Sequence, residues 1–131
     1  MKEITVGIKG TAELTADKSL LASAVGSGSL DVFATPSMVM LMEKAACSCL
    51  ADYLEGDETT VGTEISVQHT SATPAGMKIT AEAEVTAVSG REITFRVTAW
   101  DSAGEIGNGT HKRFLVYGEK FMAKTAAKLP D

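Results

Sequence analysis

The stretch that decides the fold is TPSMVMLMEKAACSCLADYLEG, residues 35–56. It opens with Thr35 followed by Pro36, a pattern typical of a helix whose N-cap is the threonine and whose first residue is the proline. Apolar residues then recur at spacings of three and four as far as about Leu54, and Gly56 marks the end of the helix. Because these apolar residues occupy more than one face, we expect the helix to be largely buried. A single buried helix needs a sheet wrapped around it.

The rest of the chain supplies that sheet. Alternating apolar and polar residues predict strands within five segments: residues 4–14, 61–69, 77–85, 93–100 and 105–117. Turn sequences at residues 89–90 and 102–104 predict hairpins, so we expect an antiparallel meander. The remaining segments are interpreted as a long loop over residues 15–34 and a short amphipathic helix over residues 119–128. The sequence therefore predicts an α+β fold, with one antiparallel sheet on one long helix, in a single domain spanning residues 1–131.

Composition and charge exclude several classes of function. The net charge is −5 and aromatic residues make up only 5% of the chain, so we expect no nucleic-acid partner. No run of 18 apolar residues is present, so we expect no membrane span, and the first residues do not resemble a secretory signal. Cys47 and Cys49 lie two residues apart on the predicted helix and point in different directions. They are therefore expected to be reduced thiols in a cytoplasmic protein.

Glu43 is the most informative polar residue of the helix. It lies on a stripe with Val39, Met40 and Leu50, and no basic residue stands three or four positions away. A carboxylate on such a face loses solvation, which is how a general base active near neutral pH is made. The alternative is a solvated glutamate at the exposed edge of the helix, beside Lys44.

Three further residues could act together with Glu43. His69 alternates in phase with Val61 on its strand, so we expect it to face the helix, where it could meet Glu43 or be an ordinary buried histidine. Thr35 lies where the free N–H groups of the helix could stabilise an oxyanion, and is otherwise a plain cap. Gly62 would let a substrate approach the backbone closely, or would serve a turn.

The segment GNGTHKR, residues 107–113, is the one local basic cluster. Its glycines and positive charges suit a phosphate group, although Gly-x-Gly alone is a weak signal. His111 and Arg113 are therefore candidates for binding an anionic ligand, with structural pairing as the alternative. His69 and His111 have no third cysteine, histidine or carboxylate at ligand spacing, so we expect no metal site.

Three blocks of the sequence resemble one enzyme family. They are VFATPSMVMLMEKAAC (residues 32–47), GTEISVQHTSATPAG (residues 62–76) and EIGNGTHKRFLVYGEKF (residues 105–121). These blocks are similar to parts of the hotdog-fold thioesterases of the fluoroacetyl-CoA thioesterase type. The resemblance implies a hotdog fold, in which the sheet wraps around the helix. It also implies a homodimer or tetramer with acyl-CoA bound between subunits, and no cofactor beyond the coenzyme A of the substrate.

The same resemblance implies roles for individual residues. The catalytic residues of the family correspond to Thr35, Glu43 and His69, its active-site glycine to Gly62 and its late arginine to Arg113. The fluoroacetyl-specific members carry an aromatic lid just before the first block. Here the segment is GSGSLD, residues 26–31, without an aromatic residue. We therefore expect a short or medium acyl group other than fluoroacetyl.

These observations predict an acyl-CoA thioesterase that releases a free acid and CoA. Glu43 would act as base or nucleophile, His69 would orient the reacting groups and transfer a proton, and Thr35 would hydrogen-bond Glu43 or the acyl group. His111 and Arg113 would bind the CoA phosphates or pair structurally. Two alternatives remain open. An enoyl-CoA hydratase or dehydratase would add or remove water without releasing thiol, and a non-catalytic acyl-CoA-binding module would bind without turnover.

Overall fold

The computed structural model describes residues 1–130. Its strands are β1 (Lys9–Thr15), β2 (Glu58–His69), β3 (Lys78–Ser89), β4 (Glu92–Asp101) and β5 (Gly104–Tyr117), and its helices are α1 (Ala22–Val25), α2 (Thr35–Leu50) and α3 (Gly118–Ala126). Single turns of 3-10 helix lie at Lys18–Leu20 and Ala51–Tyr53. None of the helices described is long and apolar enough to cross a membrane.

The five strands form one sheet in the order β1-β3-β4-β5-β2, and every neighbouring pair is antiparallel. The predicted hairpins between β3, β4 and β5 are confirmed. The predicted meander order is wrong for β2, because this strand pairs with β5 instead of β3. The reason is the connection over residues 70–77, which contains Pro74 and is too long for a tight hairpin turn. As a result, β2 is an edge strand whose second side has no partner strand within residues 1–130.

Helix α2 packs on the inner face of this sheet, as predicted. Its buried apolar side chains are Met38, Leu41, Met42, Ala45, Ala46, Cys49 and Leu50. Opposite them lie buried residues from the three central strands, among them Ile79, Ala81, Ala83, Val85, Ile93, Phe95, Val97, Ala99 and Ile106. Each large apolar side chain buried in this way contributes about 1.5–3 kcal/mol. The many alanines on the sheet let the helix approach closely.

The two ends of α2 differ from the prediction. The N-cap is Ala34 and not Thr35, because the Thr35 hydroxyl is hydrogen-bonded to His69 and caps no backbone N–H. The α-helix ends at Leu50 rather than Leu54 and continues as one 3-10 turn.

The segments before α2 also differ from the prediction. Strand β1 begins at Lys9 and not at residue 4, because Gly7 adopts a φ of 99° that interrupts an extended chain. The predicted loop over residues 15–34 contains a 3-10 turn and the single-turn helix α1. Both cysteines of α2 are free as expected, Cys47 exposed and Cys49 buried. Burial raises the pKa of the Cys49 thiol to about 11.

A β-bulge divides strand β2. Its pairing with β5 shifts register between Gly62 and Glu64, which leaves Thr63 as the extra residue. An extra residue turns the following side chains to the opposite face of the sheet. Val61 therefore faces outward while His69 faces α2. The expectation that these two side chains share one face is wrong for this reason.

Gly10 of β1 lies directly beneath α2. A Cβ atom added there would lie 2.5 Å from the backbone nitrogen of Cys49 and 2.7 Å from the carbonyl oxygen of Ala45. Because these are backbone atoms of a packed helix, we expect Gly10→Ala to lower the free energy of unfolding by about 1–3 kcal/mol, measured by urea denaturation.

The matched control is Gly28→Ala. A Cβ atom at Gly28 would make only an ordinary contact of 3.4 Å with the Cβ of Ala22. We expect this variant to unfold like the wild type. Equal stability of the two variants would contradict the tight packing of β1 against α2.

Candidate functional site

The first cluster of functional side chains lies at the N-terminal end of α2. Thr35 Oγ1 and His69 Nδ1 are 2.8 Å apart, a hydrogen bond that joins α2 to the last residue of β2. Burial lowers the pKa of His69 below its ordinary value of 6.5, so the ring is neutral at pH 7. Its Nε2 is buried and has no hydrogen-bond partner in the part of the chain described. Such an atom is costly to bury, which makes it a candidate for contact with a substrate.

A pocket of about 240 Å³ opens beside this pair. Phe33 and Ala34 from the entry to α2 form one wall, and Ala72, which follows β2, forms another. Ala22 and Ser27 contribute from the segment before α2. Small side chains therefore dominate the lining around the hydroxyl and the imidazole, and the free N–H groups of the first turn of α2 lie at the same end.

The second cluster is centred on Glu43, two turns further along α2. Eight residues separate Thr35 from Glu43, which places them about 12 Å apart along the helix axis. Glu43 Oε2 lies 3.3 Å from Arg113 Nη1, and the Glu43 side chain is 40% exposed. The prediction that Glu43 is a desolvated carboxylate without a cationic partner is therefore wrong. The partner comes from β5, which helical spacing cannot reveal.

Arg113 is buried, and protein groups occupy its guanidinium. Nε donates to Thr60 Oγ1 at 2.9 Å, and Nη2 donates to the Thr60 carbonyl oxygen at 3.0 Å. Nη1 contacts both Glu43 Oε2 and, at 3.2 Å, His111 Nε2. Sequence reasoning missed Thr60, because a threonine on a strand carries no signal of its own. Only the pairing of β2 with β5 brings it to the arginine.

His111 supports Arg113 from the other side. Its Nδ1 lies 2.8 Å from the carbonyl oxygen of Glu64. Because the guanidinium can only donate, Nε2 must accept, and Nδ1–H donates to Glu64. Burial, together with the charge of Arg113, lowers the pKa of His111 and keeps it neutral. The ring also stacks on Phe95, with centroids 5.9 Å apart. His111 and Arg113 thus lie in the interior.

The glycines of both predicted ligand segments have structural explanations. A Cβ atom at Gly62 would lie 2.7 Å from Glu43 Oε2, so the absence of a side chain makes room for the carboxylate. A Cβ atom at Gly107 would lie 2.6 Å from Met38 Sδ, and one at Gly109 would collide with the backbone of β2. The glycines of residues 107–109 therefore serve packing. A pocket of about 230 Å³ lies over Glu43 and Gly62.

The structure thus groups the predicted site residues into two clusters. Thr35 and His69 form one, while Glu43, Gly62, His111 and Arg113 form the other with Thr60. Across residues 1–130 no hydrogen bond joins the two clusters, so the expected meeting of Glu43 with His69 does not occur within one chain.

Comparisons with known proteins place the chain in one group. Residues 15–119 match the profile of the family described as fluoroacetyl-CoA-specific thioesterase. The fluoroacetyl-CoA thioesterase of Streptantibioticus cattleyicolor is 49% identical over 100 residues, which are 76% of this chain and 72% of that protein. The solved structure of the fluoroacetyl-CoA thioesterase FlK matches with a TM-score of 0.92 at 38% identity, covering 98% of this chain and 100% of that chain.

Two further solved structures are informative. A variant of FlK in complex with acetyl-CoA matches with a TM-score of 0.92 at 39% identity, over 97% of this chain and 100% of that chain. A hot-dog-like protein from Thermanaerovibrio acidaminovorans has only 17% identity but a TM-score of 0.85, over 96% of this chain and 93% of that chain. These likenesses confirm the predicted α+β hotdog fold and the resemblance found in the sequence. The chain belongs to the fluoroacetyl-CoA-specific thioesterase family.

Proposed function

We propose that this protein hydrolyses short or medium acyl-CoA thioesters in an active site that two copies of the chain complete together. Membership of the family makes it a thioester hydrolase that acts on acyl-CoA. The observation that carries the site assignment is the Thr35–His69 hydrogen bond beside a small pocket, with His69 Nε2 buried and unpartnered. The reaction uses water and needs no cofactor beyond the CoA of the substrate.

The spacing of the two clusters supports a homodimer. Thr35 and Glu43 lie about 12 Å apart on one helix, too far to act on one carbonyl carbon. A second copy added at the open edge of β2 would bring its own α2 alongside. The Thr35–His69 pair of one copy would then face Glu43 of the other. Met40, an apolar residue beside Glu43 that is 41% exposed, is consistent with this face being covered. A tetramer would contain the same pair.

The chemistry follows from the groups at such a site. The thioester carbonyl would lie at the N-terminus of α2, where free N–H groups stabilise the negative charge that develops on its oxygen. Glu43 would take a proton from water, whose oxygen attacks the carbonyl carbon, or would itself attack and form an acyl-enzyme that water then hydrolyses to the free acid. The C–S bond breaks, and the thiolate takes up the proton that was removed from water. If the Thr35 hydroxyl donates to Nδ1, His69 carries its proton on Nε2 and can donate a hydrogen bond to the departing thiolate.

Thr60, His111 and Arg113 are proposed to position Glu43. The buried guanidinium of Arg113 is hydrogen-bonded to Thr60 and His111, and it also donates to one oxygen of the Glu43 carboxylate. This role replaces the alternative in which His111 and Arg113 bind the phosphates of CoA. Gly62 would admit the carboxylate and, beside it, the thioester.

The pocket favours a short or medium acyl group. Its volume is about 240 Å³ and its walls are mostly small residues. Residues 26–31 contain no aromatic side chain, so we propose that the acyl group is one other than fluoroacetyl. The free thiols of Cys47 and Cys49 support a reducing compartment such as the cytoplasm, and residues 1–131 are proposed to form one hotdog domain.

Glu43→Gln and His69→Ala should each lower kcat about a hundredfold or more, because Glu43 takes the proton from water and His69 stabilises the departing thiolate. The assay is release of free thiol from a panel of acyl-CoA substrates. Glu13→Gln, on the exposed face of β1, is the control and should keep full activity. Water addition without thiol release would instead indicate a hydratase, and binding without turnover a non-catalytic module.

Mixing the two inactive variants tests the shared site. After joint refolding at equal amounts, half of the dimers are mixed, and each mixed dimer has one site with neither substitution. Activity should therefore return to about a quarter of the wild-type value. Activity that stays at the level of the separate variants would place Glu43 and His69 of one site on the same chain.

Thr60→Val and Thr60→Ser form a matched pair for the positioning role. Valine removes the oxygen that accepts from Arg113 Nε, while serine keeps it. We expect Thr60→Val to lower kcat about tenfold with little change in KM, since a misplaced carboxylate impairs the reaction more than binding. Thr60→Ser should stay near the wild type. Equal kcat values for two folded variants, checked by thermal melting, would contradict the role.

A further inference from the structure

The acyl pocket, the small cavity beside Thr35 and His69, lies between two segments that are cross-linked at both of its ends. One segment is the entry to α2, and the other is the end of β2 with the connection after it. The Thr35–His69 hydrogen bond joins the segments at one end. At the other end, the Phe33 N–H donates to the carbonyl oxygen of Thr73 at 2.9 Å. The shape of the pocket therefore depends on where Thr73 is held.

Thr73 is held from outside the pocket by Asp101, the last residue of β4. Thr73 is fully buried, and its hydroxyl donates to Asp101 Oδ2 at 2.8 Å. Because a buried hydroxyl is costly without a partner, this acceptor favours one position of the threonine. Neither Thr73 nor Asp101 lines the pocket. They can therefore influence an acyl group only through the residues that do.

Asp101 is itself fixed by the turn between β4 and β5. Its Oδ1 accepts from the backbone N–H groups of Ala103 at 2.8 Å and Gly104 at 3.2 Å, while Oδ2 accepts from Thr73. The Thr73 hydroxyl, together with these backbone groups, lowers the pKa of Asp101 below its ordinary value of 3.8, so the carboxylate is ionised at pH 7. A hydrogen bond to a charged oxygen is stronger than one between neutral groups. The turn thus provides Thr73 with a rigid, charged acceptor.

Ala72, which forms one wall of the pocket, lies between two anchors. On the side of β2, two consecutive backbone N–H groups donate to the carbonyl oxygen of Ile106 at 2.7 and 3.3 Å. On the other side is the Thr73–Asp101 hydrogen bond. Without this second anchor, the two walls of the pocket can move apart while the end near His69 stays in place.

We propose that Asp101 and Thr73 are positioning residues that set the width of the acyl pocket, an inference that rests on the proposed thioesterase function. Through the Thr73 carbonyl they hold the backbone of Phe33, and through the adjoining peptide they hold Ala72, so the two walls stay close together. The pair therefore favours a shorter acyl chain over a longer one. It acts on selectivity and takes no part in proton transfer.

The test compares two substrates in a matched pair of variants. Thr73→Val removes the hydroxyl and keeps the shape of the side chain, while Thr73→Ser keeps the hydroxyl. We expect Thr73→Val to shift the ratio of kcat/KM values for butanoyl-CoA and acetyl-CoA about fivefold toward butanoyl-CoA, and Thr73→Ser to keep the wild-type ratio. A merely structural role would lower the amount of active enzyme, and hence both rates equally. An unchanged ratio in Thr73→Val would overturn the proposal.

Further variants check that the effect comes from the pair. Asp101→Asn removes the charged acceptor, retains an oxygen for the turn, and should shift the ratio in the same direction even where Thr73→Val does not fold. Combined with Thr73→Val it should add little, because both changes break one interaction. Thr86→Val removes a hydroxyl bonded to the Thr94 carbonyl at the other end of β3 and β4, and should leave the ratio unchanged. Additive shifts, or an equal shift in Thr86→Val, would overturn the pairing.

Amide hydrogen exchange, followed by NMR, needs no turnover and so separates this proposal from the proposed function. The Phe33 N–H should exchange about tenfold faster in Thr73→Val and at the wild-type rate in Thr73→Ser. The Leu115 N–H, which donates to the Arg91 carbonyl away from the pocket, should be unchanged in both. If no acyl-CoA releases thiol, the proposed function fails, while faster exchange at Phe33 alone still supports the hold of the pair on the pocket wall. Equal acceleration of both amides, or of neither, would overturn it.

Discussion

The close contact between α2 and the inner face of the sheet determines where every candidate site residue of this protein lies. The helix can approach because the strands beneath it offer glycine and alanine, as at Gly10, Ala81 and Ala83. Once the helix is seated, its N-terminus meets the end of β2, and its middle meets the first half of the same strand. The two candidate clusters are the two places where α2 and β2 meet, so the packing of the helix also fixes the geometry of the candidate site.

Burial beneath the helix also determines how the charged groups of the second cluster are paired. Arg113 is buried only because Thr60, His111 and Glu43 satisfy its donors, and a buried guanidinium without them would be strongly destabilising. The neutral state of His111 belongs to the same arrangement, since a protonated ring could not accept from the arginine. By contrast, Lys112, which lies between them in sequence, points to solvent and pairs loosely with acidic residues.

Much of the fold followed from sequence pattern, because helical and strand periodicities are local. The long helix and the two hairpins have signals within a few residues of themselves, and the inward direction of His69 follows from its alternation with nearby Val67, on the same side of the bulge. The edge position of β2 and the Arg113–Glu43 pair do not, because they depend on residues 38 to 70 positions apart meeting in space. Thr35 is not the cap that its sequence context predicts, for a related reason. Its local surroundings favour capping, and only the distant His69 competes for its hydroxyl.

The bulge at Thr63 affects how readily other strands can pair with the exposed edge of the sheet. An edge strand of twelve residues presents a long row of free N–H and C=O groups on which foreign strands can grow. The bulge divides this row into two short segments, residues 58–62 and 64–69, that are out of register with each other. A flat, regular strand cannot pair along both, whereas a second copy of this chain needs to pair along only one of them. The bulge beside Gly62 therefore limits indiscriminate strand addition and aggregation at this edge.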